Sequence, residues 1–103
     1  KDMEWLAYAD EADLLNVVLF GCTAKAWREA NPDLAKNSNI RDYASIPELT
    51  VLSNLETHNA ELIKQGYNKE KRFEMLQQIA QYQLKVLAEA EQIKLLPEKT
   101  ENR

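Results

Sequence analysis

The residues best suited to chemistry in this chain are one cysteine, one histidine and a short charged run. Cys22 has no histidine beside it in the sequence, so no base is placed to activate its thiol. His58 could act as a general base only with a nucleophile or polarised water within reach, and none can be assigned. The run Arg41-Asp42-Tyr43 could bind a ligand or pin its loop through a charge-assisted pair, and pinning is favoured. The sequence therefore predicts no enzyme.

A second candidate is a basic pair that could meet nucleic acid. Residues 11–30 could form a helix-turn-helix unit, with its corner at Gly21, whose second helix presents Lys25 and Arg28 to phosphate or base edges. Glu29 follows Arg28 directly, and we expect Trp27 to be an inward anchor. Direct DNA binding is therefore the alternative interpretation of this unit, and a structural role is the preferred one.

The composition favours one small helical domain. The chain has 103 residues, of which 45% are hydrophobic, and it contains only two glycines and three prolines. This length supports one core, and the scarcity of turn residues favours long helices over a many-stranded sheet. The net charge of −4 argues weakly against a domain that binds nucleic acid over its whole surface. We expect an all-α domain over residues 1–103, with a core at about 8–92 and a polar tail at 97–103.

The number and types of possible ligands also limit the functions open to this chain. Cys22 cannot form an intramolecular disulfide, and a lone cysteine suits a reducing compartment. With one histidine there is no Cys/His metal cluster, and no motif indicates a cofactor. No long apolar run or basic leader indicates a membrane segment. We therefore expect no membrane association and a cytoplasmic location.

Capping residues and apolar spacing predict about four helices. Asp10 precedes an acidic first turn, Thr23 can cap the second helix, and Ser45 starts a capping box with Glu48. Asn68 can cap the last helix. The predicted helices span residues 11–20, 24–30, 46–65 and about 69–92. Within the first, the buried amide of Asn16 is expected to bond to neighbouring backbone.

The connections between these helices predict the architecture. Residues 34–45 lack a clear period and are expected to form the longest irregular connection. In the third helix, apolar positions fall on one side from Ile46 and Leu49 onward. The short corner Gly66-Tyr67-Asn68 makes the last two helices antiparallel neighbours. The expected fold is a small bundle of about four helices with a long antiparallel carboxyl-terminal hairpin.

The apolar stripe of the last helix is wider than one neighbouring helix can cover. Either the first helix covers the remainder or a second copy of the chain does. Apolar residues continue toward the carboxyl end at Val86, Ile93, Leu95 and Leu96. These four residues are the predicted self-association residues, and a homo-oligomer is favoured.

Much of the chain resembles the carboxyl-terminal region of KilA-N domain proteins. The similarity lies in the runs Tyr8–Val17, Leu19–Gly21, Thr23–Lys25, Trp27–Leu34 and Asn39–Ile46, with further matches at Leu52–Glu56, Asn59–Ala60 and Gln65–Gly66. Together these runs cover most of residues 8–87.

This resemblance implies a role connected with DNA. Proteins of that family occur in bacteriophages and in bacterial genomes with phage-like elements, and their amino-terminal KilA-N domain is regarded as DNA-binding. The resemblance implies that this chain is a fragment without that domain, an accessory interaction or oligomerisation unit of a phage-derived regulator. DNA would then be contacted through the KilA-N domain of the full-length protein, in a bacterial or phage-infected cell. No catalytic or binding residue is carried over from the family.

Overall fold

A computed structural model describes residues 3–94, with side chains described for residues 3–90. The described chain is all-helical, as the composition predicted. Five α-helices span α1 Glu11–Phe20, α2 Ala24–Ala30, α3 Pro32–Ala35, α4 Ile46–Lys64 and α5 Lys69–Lys94. Two 3₁₀ segments lie at Glu4–Tyr8 and Ile40–Tyr43.

The helix starts follow from local capping, and the predicted starts at Glu11 and Ile46 are confirmed. The Asp13 N–H donates to Asp10 Oδ1 at 2.8 Å, and the Asp13 side chain accepts from the Asp10 N–H in return. Ser45 and Glu48 form the same reciprocal pair, with the Ser45 N–H 2.8 Å from Glu48 Oε1. Such boxes satisfy backbone donors that the first helical turn leaves without a partner.

The prediction of an irregular connection over residues 34–45 is wrong in part, because residues 36–39 and 44–45 are not helical but helical segments occupy the start and the centre of the range. Pro32 starts α3 directly after α2, which is a favoured position for proline because its fixed φ suits the first helical turn. A second capping pair then starts the 3₁₀ segment: the Asn39 N–H donates to Asp42 Oδ2 at 2.8 Å, and the Arg41 N–H donates to Asn39 Oδ1 at 2.9 Å. Ile40 in this segment is buried.

The core lies where α1, α4 and α5 meet. Its buried members are Leu6, Leu14, Leu15, Val51, Leu52, Leu55, Leu62, Phe73, Leu76 and Ala80. Trp5 packs edge-on against Phe73 with ring centroids 5.3 Å apart. The 3₁₀ segment Glu4–Tyr8 therefore contributes to the same core.

The start of α4 does not face the core as the apolar spacing predicted. Ile46 is 79% exposed and Leu49 is 39% exposed, whereas Val51 is fully buried. The buried side of α4 is centred on Val51, Leu55 and Leu62, so the first two apolar positions fall outside it. The beginning of α4 therefore leaves apolar side chains in water.

The contacts between α4 and α5 run in opposite directions along the two helices. Asn59 accepts from Arg72 at 2.8 Å, and Asn54 donates to Gln83 at 3.0 Å, so earlier residues of α4 meet later residues of α5. The connection turns at Gly66, whose φ of 90° lies in the left-handed region that favours glycine. The start of α4 therefore lies near the carboxyl-terminal half of α5.

Candidate interaction surface

An uncharged surface lies on α4 and α5 at the end of the helix pair far from the Gly66 turn. We call it the distal surface, and it comprises Ile46, Thr50, Asn54, Tyr82, Gln83, Val86 and Leu87. Tyr82 is 69% exposed and Val86 is 40% exposed. Residues Thr50 and Asn54 of α4 line a shallow groove of about 150 Å³ with the α5 residues of this surface. Ile46 lies one turn before Thr50, whose hydroxyl donates to the Ile46 carbonyl at 3.0 Å.

The absence of charge from this region is a property of the sequence of both helices. In a protein with 29% charged residues, α4 carries none from Leu49 to Leu55 and α5 carries none from Gln77 to Leu84. These two runs face each other across the helix pair, as the contact between Asn54 and Gln83 shows. Clustered apolar and neutral residues at the surface are typical of contact sites for other macromolecules, whereas single exposed apolar residues are ordinary.

Of the four predicted self-association residues, the structure describes the side chain of Val86 alone. Val86 lies on the distal surface and is exposed. Ile93 falls in the last described turn of α5, but its side chain lies outside the described set, and Leu95 and Leu96 lie outside the described residues. Tyr82 and Ile46 are members of this surface that the sequence did not single out as self-association residues. The signal available for Tyr82 was its position one turn before Val86 in an uncharged run.

The basic pair lies on the exposed side of α2. Lys25 Nζ is 4.0 Å from Glu29 Oε2, and Arg28 is exposed in the last turn. Trp27 does not join the main core as an inward anchor. It packs against Tyr43 with ring centroids 5.8 Å apart, so it fixes the second 3₁₀ segment to α2. The interpretation of α2 as a DNA-reading helix stays a prediction.

A buried charged cluster joins α1 to the α4 and α5 pair. Arg72 Nη1 donates to Glu11 Oε1 at 2.7 Å and to Asn59 Oδ1 at 2.8 Å, and Arg72 Nη2 lies 3.3 Å from Glu11 Oε2. Arg72 Nε donates to the Tyr67 carbonyl at 3.1 Å, and Asn59 Nδ2 donates to Glu11 Oε1 at 2.8 Å. The Arg72 side chain is 7% exposed. A buried guanidinium needs such partners, because an unpaired charge in the protein interior is costly.

Lys69 of α5 attaches the amino-terminal 3₁₀ segment to the same helix pair. Its ammonium donates to the carbonyl of Leu6 at 3.3 Å and to the carbonyl of Ala9. The Leu6 carbonyl also accepts the Ala9 N–H at 3.3 Å, and Ala9 directly follows the segment, so Lys69 binds the chain where the segment ends. Glu11, Asn59, Lys69 and Arg72 thus tie three parts of the chain together, and their mutual satisfaction indicates a structural role.

The cluster predicts an acid-sensitive contribution to stability. Burial raises the pKa of Glu11, but hydrogen bonds from Arg72 and Asn59 and the charges of Arg72 and Lys69 lower it more, so the net pKa lies below its ordinary value. A depressed folded-state pKa stabilises the fold fully above the ordinary value and loses that effect as pH falls through the folded-state pKa. Glu11→Gln should therefore lower the free energy of unfolding at pH 7 and cost progressively less below about pH 4.5.

Because the Glu11 side chain is 45% exposed, solvent screening limits the neutral-pH difference to about 1 kcal/mol. Urea unfolding of both proteins between pH 3 and pH 7 measures it. Glu48→Gln, at a solvent-exposed capping box, is the comparison. A difference between wild type and Glu11→Gln that does not change with pH contradicts the role of the ionised carboxylate.

The remaining candidates for chemistry are not brought together. Cys22 is half-buried beside a cavity of about 350 Å³ that Trp5, Val17 and Ala26 also line. His58 is exposed on α4. Arg41 lies 3.9 Å from Glu56 of α4, and with the ring contact of Tyr43 this favours the pinning role of the charged run. Among the described residues, no group of three or more His, Cys, Asp or Glu side chains could hold a metal ion.

Asn16 differs from its expected arrangement. Its side chain is buried, but within the described part of the chain Oδ1 has no hydrogen-bond partner. The prediction that this amide bonds to neighbouring backbone is therefore wrong for its oxygen. A buried acceptor without a hydrogen-bond partner costs free energy of folding.

Within residues 3–94, no helix combines the length and apolar character that crossing a membrane requires. No family model, no curated protein and no solved structure matches this chain.

Proposed function

We propose that this chain is an accessory interaction and oligomerisation domain that self-associates through the distal surface. Self-association would pair whatever units are joined to the domain, and pairing two DNA-binding units raises avidity without a new base contact. The regulator that it would serve is a phage-derived DNA-binding protein of the KilA-N type, acting in the cytoplasm of a bacterial or phage-infected cell. This last part of the proposal is supported by the sequence resemblance over residues 8–87.

The observation that carries the proposal is the distal surface itself. Tyr82, Val86 and Ile46 expose large apolar side chains next to neutral ones. Aromatic and aliphatic side chains surrounded by uncharged polar groups are the usual composition of the centre of a protein interface. The side chains of Glu11, Asn59 and Arg72, by contrast, bond to one another.

The proposed architecture gives this surface a rigid base. In it, α1, α2, α4 and α5 form the small bundle, and the α4 and α5 pair is the hairpin that holds the distal surface. Helices position contact residues more accurately than loops do, because packing fixes their side chains. The Asn54 to Gln83 hydrogen bond joins the two helices within the distal surface and supports this role.

Light scattering on a gel-filtered concentration series tests the proposed function. The mass-average molar mass should rise from that of one chain toward that of two as protein concentration increases through the micromolar range, which is the range of weak interfaces. A mass equal to one chain at every concentration up to the millimolar range contradicts the proposal.

Direct DNA binding through α2 makes a different prediction. If the exposed cations Lys25 and Arg28 contact phosphates, the chain should retard duplex DNA at low salt, and replacing both by alanine should weaken binding on the order of tenfold or more. The oligomerisation proposal expects no retardation by either protein. A mobility-shift titration at about 50 mM salt with Lys64→Ala and Lys71→Ala as the charge-matched control separates the two.

A further inference from the structure

Two opposite charges on α5 flank Val86 and Leu87 of the distal surface. Lys85 directly precedes Val86, and Glu89 follows it by three residues, so the two lie one helical turn apart. Both are exposed. The distal surface between them and α4 carries no charged residue. Along the helix axis, Val86 and Leu87 therefore lie between a cation and an anion, and Tyr82 and Gln83 precede both charges.

We propose that the occupant of the distal surface is a second copy of this chain, related by a two-fold axis close to Val86 and Leu87, with the two α5 helices antiparallel. This inference rests on the proposed function and specifies its partner and geometry. In such an antiparallel pair, residues of one helix that precede the axis lie opposite residues of the other helix that follow the axis. Lys85 of each copy then lies opposite Glu89 of the other.

Charge complementarity favours this antiparallel arrangement over a parallel one. A parallel pair would place Lys85 beside Lys85 and Glu89 beside Glu89, and like charges at an interface oppose association. The net charge of −4 also makes two copies repel each other in general, so they can approach most easily through a neutral surface. A two-fold contact uses the same residues twice, which is the commonest arrangement of soluble homodimers.

Exchanging the charges tests the geometry. Lys85→Glu places two carboxylates opposite each other at both contacts, and Glu89→Lys places two ammonium groups opposite each other at both contacts. Each variant alone should self-associate about tenfold more weakly than wild type, as expected for exposed charge pairs changed from attraction to repulsion. An equimolar mixture of the two restores opposite charges at both contacts. Its dissociation constant should return to within about threefold of wild type.

Sedimentation equilibrium of each variant, the mixture and wild type measures these constants. Lys25→Glu is the matched control, because Lys25 and Glu29 form another exposed pair at the same spacing, away from this surface. Its self-association should equal that of wild type. If wild type associates but the mixture stays as weak as the single variants, the antiparallel geometry is wrong and the proposed function stands. If wild type remains a single chain, the proposed function itself fails.

Discussion

The Arg72→Met variant is expected to unfold with a free energy about 3 kcal/mol below that of wild type, which is the lower part of the range for breaking a buried ion pair. Methionine keeps most of the apolar stem but removes four hydrogen bonds, to Glu11 twice, to Asn59 and to the Tyr67 carbonyl. The expected loss of unfolding free energy is at the low end of that range because Glu11 stays in contact with water. Urea unfolding at pH 7 and one low protein concentration measures it.

Lys71→Met is the matched control for Arg72→Met. Lys71 precedes Arg72 in α5 but is exposed, with its ammonium 4.0 Å from Glu74, so its loss should change the free energy of unfolding by less than about 0.5 kcal/mol. Glu11→Gln should cost less in the Arg72→Met background than in wild type, because the two residues share one interaction. Equal effects of Arg72→Met and Lys71→Met would show that the cluster does not hold α1 in place.

The Val86→Glu variant is expected to weaken self-association by at least about 100-fold, since a two-fold contact would bury two carboxylates without partners. Val86 is 40% exposed in the single chain, so the fold should tolerate the change. Light scattering gives the association, and circular dichroism checks that the helices persist.

Ile63→Glu is the comparison for Val86→Glu. Ile63 is an aliphatic residue of similar exposure, 46%, on α4 but outside the distal surface. Its replacement should leave self-association unchanged. Ile63 lines a shallow groove of about 290 Å³ between α1 and α4, together with Ala12 and Ala60. Loss of association in Ile63→Glu together with full association in Val86→Glu would place the interface at that groove.

Features set by short-range interactions were predictable from the sequence. The starts of α1 and α4 depend on reciprocal bonds between residues three apart, at Asp10 and Asp13 and at Ser45 and Glu48. Such pairs can be read directly from residue types. The 3₁₀ segment Ile40–Tyr43 uses a similar pair, Asn39 and Asp42, but it is too short to show an apolar period. The predicted irregular connection therefore contains a helical segment that the sequence did not indicate.

Features set by distant residues were not predictable in the same way. Glu11 and Arg72 are separated by 61 positions, and no short-range sequence pattern predicts their contact. A signal did exist, because Arg72 lies four residues before Leu76 on the core-facing side of α5, and Asn59 lies on the core-facing side of α4. Charged and amide side chains in such positions require buried partners. The identity of those partners needed the three-dimensional arrangement.

The sequence indicated that the apolar side of α5 needs a further partner, but it did not indicate which residues of α4 belong to the candidate surface. The apolar stripe of α5 was wider than one neighbouring helix can cover, and the sequence left either the first helix or a second copy of the chain to cover the rest. The structure packs α1 against α5 and leaves Val86 40% exposed. The exposure of Ile46 was missed, because spacings of three and four from Leu52 and Leu55 permit both Leu49 and Val51 on the buried side. Packing against α5 selects Val51.

Concentration-dependent backbone amide shifts in NMR spectra test most directly whether this chain self-associates through the distal surface. On dilution from the millimolar to the low micromolar range, amide signals of residues 46–54 and 79–89 should move together along one binding curve. Signals of α2 and of the Glu11 region should stay fixed. Shifts confined to α1, α2 or the groove beside Ile63, or no shift anywhere across that range, would contradict the account.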